Sequence, residues 1–289
     1  MKWLYECFGI SKQAYYQKIK TNKRKEMEAD AIKKMIEPIR KKMPRYGTEK
    51  LHLDIADKLK ESNIKMGRDR FLKFCRSHHL LVPKTRRCFI TTDSKHFYYK
   101  SPNLIKGFVP THSEQVFVND ITYIKLEDKH AYLALVTDLY SKKVMGYKLD
   151  ENMKAGLVKD ALTMAIKNCE HNHQTIIHHS DRGIQYCCPD YSEFATDKGM
   201  VLSTTEKYDP YENAVAERIN GILKYEFGLI KTIPSLDIAG KMLKHAVHVY
   251  NNERRHRSLQ MQAPDFAHTH QQHPYKSYKK TKTLERQEC

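Results

Sequence analysis

Phe117-Val118-Asn119-Asp120-Ile121-Thr122-Tyr123-Ile124 decides the fold. Its β-branched and aromatic side chains read as a core strand. Asp120 interrupts it, on the same side of the strand as Val118 and Thr122. The plain reading is a surface Asp on an edge strand. A carboxylate projecting from a core sheet instead needs a partner, and a divalent cation is a good one. Outward from this stretch, strand-like runs at 115–126, 130–140 and 143–150 follow at hairpin-like distances. A helix is expected over about 154–169, with Leu157, Ala161, Leu162, Ala165 and Ile166 on one side. Then come a strand (175–179), a helix (189–198), a short strand (200–204), a long helix from Glu212 and a final helix over 236–256. Three antiparallel strands followed by alternating helix and strand describe an α/β fold, a ribonuclease-H-like mixed sheet over residues 113–267.

Two further acids fall at telling places. Asp181 closes the run His178-His179-Ser180-Asp181-Arg182-Gly183, just after the apolar Thr175-Ile176-Ile177. Glu217 lies inside Glu212-Asn213-Ala214-Val215-Ala216-Glu217-Arg218-Ile219-Asn220-Gly221-Ile222-Leu223-Lys224, with 35 residues between it and Asp181. Alone, Asp181 is a turn-forming Asp and Glu217 a solvated helix residue. Together with Asp120, on strand, strand end and helix, they form an oxygen-donor set suited to Mg²⁺, with Mn²⁺ as a substitute. Two such ions about 3.5–4 Å apart activate an attacking hydroxyl and stabilise a leaving 3′ oxygen. Lys224 follows Glu217 by two helical turns, about 10 Å along the axis. Asn213 precedes Glu217 by one turn. Both share its face and are expected to contact DNA, a solvated lysine being the plain alternative.

The 289 residues suit about two domains. A net charge of +17, before counting 16 histidines, points to a polyanion, and nucleic acid stands ahead of an acidic membrane surface. No apolar run reaches membrane length. The start, Met1-Lys2-Trp3-Leu4-Tyr5-Glu6, lacks a signal-peptide core. The 7 cysteines are irregularly spaced and read as reduced thiols, which implies the cytoplasm and, for a DNA binder, the nucleoid. Residues 1–82 read as an all-helical region of helix-turn-helix type. Ser11 caps a short helix from Lys12, and a second helix runs from about Lys25 to Met43. A third starts near Thr48, its cap. A last one covers Arg68 to Leu80, with Phe71, Leu72 and Cys75 inward. Arg68, Arg70 and Lys73 face outward there and are candidate DNA contacts. Residues 83–112 read as a basic linker and 268–289 as a basic mobile tail.

Four segments carry a resemblance. They are Asp120-Ile121-Thr122-Tyr123-Ile124, then His179-Ser180-Asp181-Arg182-Gly183-Ile184-Gln185-Tyr186, then Glu212 to Glu217 with Lys224, and Tyr250-Asn251-Asn252-Glu253-Arg254-Arg255-His256-Arg257-Ser258-Leu259 with Pro264 beyond. With them the chain resembles a DDE transposase of the insertion-sequence-three family, close to retroviral integrase catalytic cores. Arg45-Tyr46-Gly47 and the following helices resemble that group's helix-turn-helix region. The resemblance implies two Mg²⁺ on Asp120, Asp181 and Glu217 and a self-associated complex on inverted-repeat DNA ends. It further implies that water attacks first and frees a 3′-OH, which then attacks another phosphodiester, in that group usually giving a joined-end circle. Phe117 stands where the family usually has Trp and Glu212 where it has Asp; neither is a ligand. No sustained heptad run is visible, so an upstream-frame product, or a fusion with it, is an expected partner.

Other readings stay open. A silent DNA-binding regulator and a ribonuclease-H-like nuclease acting on RNA or branched DNA use the same residues. His171, His173, His178, His179, Cys187 and Cys188 cluster, but without the spacing of a zinc site. His179 is expected to pack near the acids and Gly183 to allow the turn after Asp181. Arg254, Arg255 and Arg257, on the last helix, grip phosphate or pair with local acids.

Overall fold

The computed structural model describes residues 11–83, 97–170, 175–206 and 213–275, with Cys7 and Gly9. The chain divides into two compact units, Met1–Thr85 and Arg86–Cys289. Among the described residues no helix is long and apolar enough to cross a membrane.

The first unit is helical: α1 (Lys12–Lys42), α2 (Thr48–Glu61) and α3 (Arg68–Ser77). Ile32 and Ile36 of α1, Leu51, Ile55 and Leu59 of α2, and Phe71 and Cys75 of α3 are buried and supply the core. Ser11 does cap α1, accepting from Ala14 N at 3.0 Å. Three local expectations are corrected. α1 is one helix rather than two, because Thr21-Asn22-Lys23-Arg24-Lys25 contains no Gly or Pro to break it. Gly47, not Thr48, is the N-cap of α2, and no side chain caps it. Leu72 is exposed, since α3 presents only its Phe71–Cys75 stripe to the core.

The second unit is built on β1 (Val116–Lys125), β2 (His130–Asp138), β3 (Val144–Asp150), β4 (Ile176–Ser180) and β5 (Met200–Thr204), in the order β3-β2-β1-β4-β5. β1–β2 and β2–β3 are antiparallel, while β4 pairs parallel to β1 and β5 parallel to β4. This is the ribonuclease-H-like mixed sheet. Helices α4 (Ala155–Lys167), α5 (Ile184–Cys187) and α6 (Pro189–Asp197) belong to one face. There Phe117, Ala134, Val136 and Met145 pack with Leu157, Ala161 and Tyr191. Helices α7 (Ala214–Glu226) and α8 (Leu236–Asn252) complete the fold. With both faces covered, β2 is buried without alternation from Leu133 to Asp138. α8 ends at Asn252, short of the expected 256, so Arg254, Arg255 and Arg257 lie beyond it. Arg257 instead opens a 3₁₀ turn, Arg257–Leu259.

Two peripheral segments also depart from expectation. Residues 84–96 of the expected linker lie outside the described residues. Residues 101–106 are not a free linker, because Thr204 Oγ1 donates to Ser101 O at 2.6 Å and Leu104 N donates to Ser203 Oγ at 2.9 Å. The expected tail boundary at 268 does not hold. Residues 268–275 belong to the folded unit through α9 (Pro264–His270) and its continuation, and 276–289 lie outside the described residues. His268 is fully buried. Its Nε2 meets Glu114 Oε1 at 3.0 Å and its Nδ1 meets Ser141 Oγ at 2.9 Å. Tyr140 OH donates to Gln271 O at 3.0 Å and to His273 O at 2.7 Å.

Candidate active site

Sheet register sets the first two acids. Asn119 on β1 pairs with Ser180 on β4. The next residue on each strand is Asp120 and Asp181, so the acids leave neighbouring parallel strands side by side, where strands lie about 4.8 Å apart. Side chains alternate, so both follow Val118 and His179 onto the face opposite Phe117. The Asp181 turn is held by its own carboxylate, which accepts from Gly183 N at 3.0 Å. Gly183 contributes that N–H rather than an unusual backbone: its φ of −64° is open to any residue, which corrects the expected reason for a glycine there.

Helix α7 supplies the third acid and reads β1 residue by residue. Asn213, its N-cap, donates Nδ2 to Asn119 O at 3.0 Å. Asn220 donates Nδ2 to Asp120 Oδ2 at 2.7 Å. Lys224 donates Nζ to Thr122 Oγ1 at 3.0 Å and stands over the Tyr123 ring at 4.2 Å. Asn213, Asn220 and Lys224 recur at i, i+7 and i+11, one stripe of a helix. Glu217 falls on that stripe between Asn213 and Asn220, itself exposed in the first turn of α7.

Electrostatics ties the three acids together. Burial lifts the Asp120 carboxyl first, the Asp181 charge lifts it further, and the Glu217 charge adds to both. Asn220's hydrogen bond opposes them, and the result is about 8. Burial lowers the Lys224 ammonium, against the charge of Asp120. Among the described residues no group of three His, Cys, Asp or Glu side chains is drawn tightly enough together to hold a metal ion. The acids feel one another's charge without forming a closed shell. The side-chain oxygen Oδ1 of Asn220 is buried and has no hydrogen-bond partner among the described residues.

The expected DNA contacts divide. Asn213 is buried and committed to Asn119, a fastening of helix to strand rather than a surface contact. Arg254 is 2% exposed and bidentate to Glu226, at 2.7 Å from both Nε and NH2. Its guanidinium is spent on that carboxylate and not offered to phosphate. Arg257 is exposed, as are Arg68, Arg70 and Lys73 on α3. Arg68 lies 3.2 Å from the Asp69 carboxylate, and Arg70 donates to Lys65 O at 2.9 Å. His179 is buried against Ser203 Oγ at 2.9 Å, and His178 takes the Tyr191 hydroxyl at 2.7 Å. His171, His173 and Glu212 lie outside the described residues. Asn220 received no role from the sequence, although its place on the Glu217 stripe was readable there.

The chain is similar to several known proteins. Two family models, each described as an integrase core domain, match residues 110–210 and 198–264. The uncharacterized 31 kDa protein of insertion element IS600 from Shigella sonnei is 32% identical over 259 residues, 88% of this chain and 93% of that protein. Transposase InsF for insertion sequence IS3A of Escherichia coli K12 is 35% identical over 127 residues, 44% of each chain. Among solved structures, the HTLV-2 integrase catalytic core domain in complex with magnesium aligns at 19% identity. Its TM-score is 0.44, over 56% of this chain and 99% of that one.

Proposed function

The chain belongs to the integrase-core transposases of the IS3 family, and on that premise we propose that it cleaves DNA at insertion-sequence ends and joins the freed 3′-OH to another phosphodiester. Asp120, Asp181 and Glu217 are the proposed catalytic metal ligands. The observation that carries this reading is the β1–β4 register that sets Asp120 beside Asp181, with the Glu217 helix fastened to Asp120 through Asn220; burial and the two neighbouring acids raise the Asp120 carboxyl. Such crowding is costly in a folded protein unless something positive resolves it. The donor set fits Mg²⁺ or Mn²⁺, being all hard oxygen, with the orphaned Asn220 Oδ1 alongside. When bound, such ions would lower the pKa of the attacking water or hydroxyl and offset charge on the leaving oxygen.

The chain's own residues do the rest. Asn220 orients Asp120 through Oδ2. Lys224, between Thr122 and the Tyr123 ring, brings positive charge to the strand beside Asp120. In the first unit, Arg68, Arg70 and Lys73 offer exposed cations along α3 to the DNA backbone. Self-association on terminal inverted repeats, and pairing or fusion with an upstream-frame product, belong to the same reading.

The test is cleavage of terminal inverted-repeat DNA by the full chain, alone and with its upstream-frame product, in Mg²⁺. Nicks ending in 3′-OH are expected, and Asp181→Asn and Glu217→Gln should abolish them while leaving DNA binding intact. If both variants cut as well as the parent, the three acids are not the catalytic set. Binding without cleavage by every form would select a regulator. Preference for RNA–DNA hybrid would select a nuclease.

A further inference from the structure

The edge of the sheet beside the acid site carries a segment whose large side chains are turned outward. β5 is the terminal strand of the sheet, and Ser203 and Thr204 at its end hold residues 101–104. Lys106 Nζ adds an ion pair to Glu206 at 2.6 Å. Just before these anchors, Phe97 is 89% exposed and Tyr99 is 80% exposed. The rings sit at i and i+2, with Lys100 next in the chain.

The same anchor reaches the acid site. Arg182, the residue after Asp181, donates Nε to Thr205 O at 2.6 Å and NH2 to Glu206 O. Glu206 thus holds the aromatic segment with its carboxylate and the Asp181 turn with its carbonyl. Lys100 directly precedes Ser101, whose carbonyl Thr204 holds at 2.6 Å, so it too sits at this end of the sheet. The segment that carries the rings and the turn that carries Asp181 are thus fastened to the same end of β5, on a chain of net charge +17.

Exposed rings followed directly by a lysine suit one chemistry closely. A nucleotide strand alternates phosphate with a flat base, and each unpaired base stacked on an aromatic ring is worth about 1–3 kcal/mol. A paired base is already stacked within its duplex and offers a ring nothing comparable. We propose that residues 97–106 form a stacking platform for unpaired nucleotides of the DNA, with Phe97 and Tyr99 receiving bases and Lys100 a phosphate. The strand lying there is the one handed to Asp120, Asp181 and Glu217, so the platform rests on the catalytic reading above for its purpose, though not for its binding.

The experiment measures binding by the full chain without metal, using three labelled DNAs of the same sequence: blunt duplex, duplex with short unpaired tails, and single strand. Phe97→Ala/Tyr99→Ala should weaken tailed and single-stranded DNA by about tenfold or more and blunt duplex by less than about twofold. Phe97→Trp/Tyr99→Trp should bind like the parent, with indole fluorescence quenched by the tailed DNA. Both rings are exposed, so thermal melting should match the parent and exclude misfolding. The platform is overturned if the alanine variant binds all three DNAs like the parent, or loses blunt duplex equally. Cleavage by the parent, run in parallel, separates the two readings. Cutting with indifferent rings sinks the platform alone, and ring-dependent binding without cutting sinks the catalytic reading alone.

Discussion

Asn220 Nδ2 stands 2.7 Å from Asp120 Oδ2, so the helix that carries Glu217 also orients the strand carboxylate. Asn220 touches the ligand rather than the substrate, which makes it a positioning residue. Groups that orient metal ligands commonly account for about 10–100-fold in activity. Asn220→Leu keeps the volume and removes the bond. Cleavage in Mg²⁺ should fall by about that factor while metal-free DNA affinity holds. The bond lowers the Asp120 carboxyl, so its loss should also move the acidic limb of the pH–rate profile to higher pH. A uniform drop with no displacement of the limb would mark Asn220 as merely structural.

The Asp120 carboxyl predicts how metal and pH act on stability. Its value is about 8 in the folded chain against an ordinary 3.8. Between those values the unfolded chain ionises and the native one resists, so the native state loses stability as pH rises toward 8. Asp120→Asn removes that loss. Without metal, its melting temperature should exceed the parent's near pH 8.5, by about 2–4 °C for each kcal/mol recovered in a domain of this size, and converge on it only toward pH 4, where the unfolded carboxyl also keeps its proton. Mg²⁺ should raise the parent's melting temperature, more strongly as pH increases, and leave Asp120→Asn nearly unmoved. An Mg²⁺ response that ignores pH would place the ion elsewhere.

His268 works with the opposite starting charge. Burial alone would lower its imidazolium, but contacts with Asp138 at 3.8 Å and Glu114 at 3.0 Å prevail and hold it at about 9. The folded value lies above the ordinary 6.5, so the stabilisation is complete below 6.5 and is lost as pH climbs through 9. His268→Gln leaves two buried carboxylates short of a cation, at a cost of roughly 3–5 kcal/mol. Urea unfolding at pH 6 should show that deficit, and at pH 10 the gap between variant and parent should narrow. A gap constant across this range would show that the ring is neutral in the folded protein.

Much of this architecture was legible in one dimension. The strands around Asp120 declared themselves as apolar, β-branched runs, because central strands must be apolar on both faces, and the flanking helices through their 3.6-residue spacing. The neighbourhood of Asp120 and Asp181 was legible because a charge at the middle of one core strand and the end of another has few places to go. What failed had a common cause. Arg254 reads as gripping phosphate or pairing with a local acid, beside Arg255 and Arg257; it does pair with an acid, but Glu226 lies 28 residues back, and no local pattern announces which acid it takes. His268 reads as the start of a polar tail for the same reason, since Glu114 and Asp138 are far away in sequence. The helix at 236–252 looks longer because Glu253-Arg254-Arg255 has good helical propensity. The chain turns instead to let His256 N donate to Gln262 O at 2.9 Å.

Gly146 is another contact that only three dimensions reveal. A Cβ there would lie 2.1 Å from Ala161 O and 2.6 Å from Ala165 N, backbone atoms of α4 that no side-chain rotation can move. The φ of Gly146 is not in the left-handed region, so what demands glycine is the approach of β3 to α4 and not its own backbone. Ala161 and Ala165, both fully buried, are the matching small residues on the helix. Gly146→Ala should therefore push strand from helix and destabilise the second unit by the upper end of the ~1–3 kcal/mol typical of overpacking, or more. Urea unfolding measures this directly. DNA binding by the first unit, read through the salt dependence contributed by Arg68, Arg70 and Lys73, should survive at temperatures where Gly146→Ala has already lost cleavage. Simultaneous loss of both would mean that the two units do not fold independently.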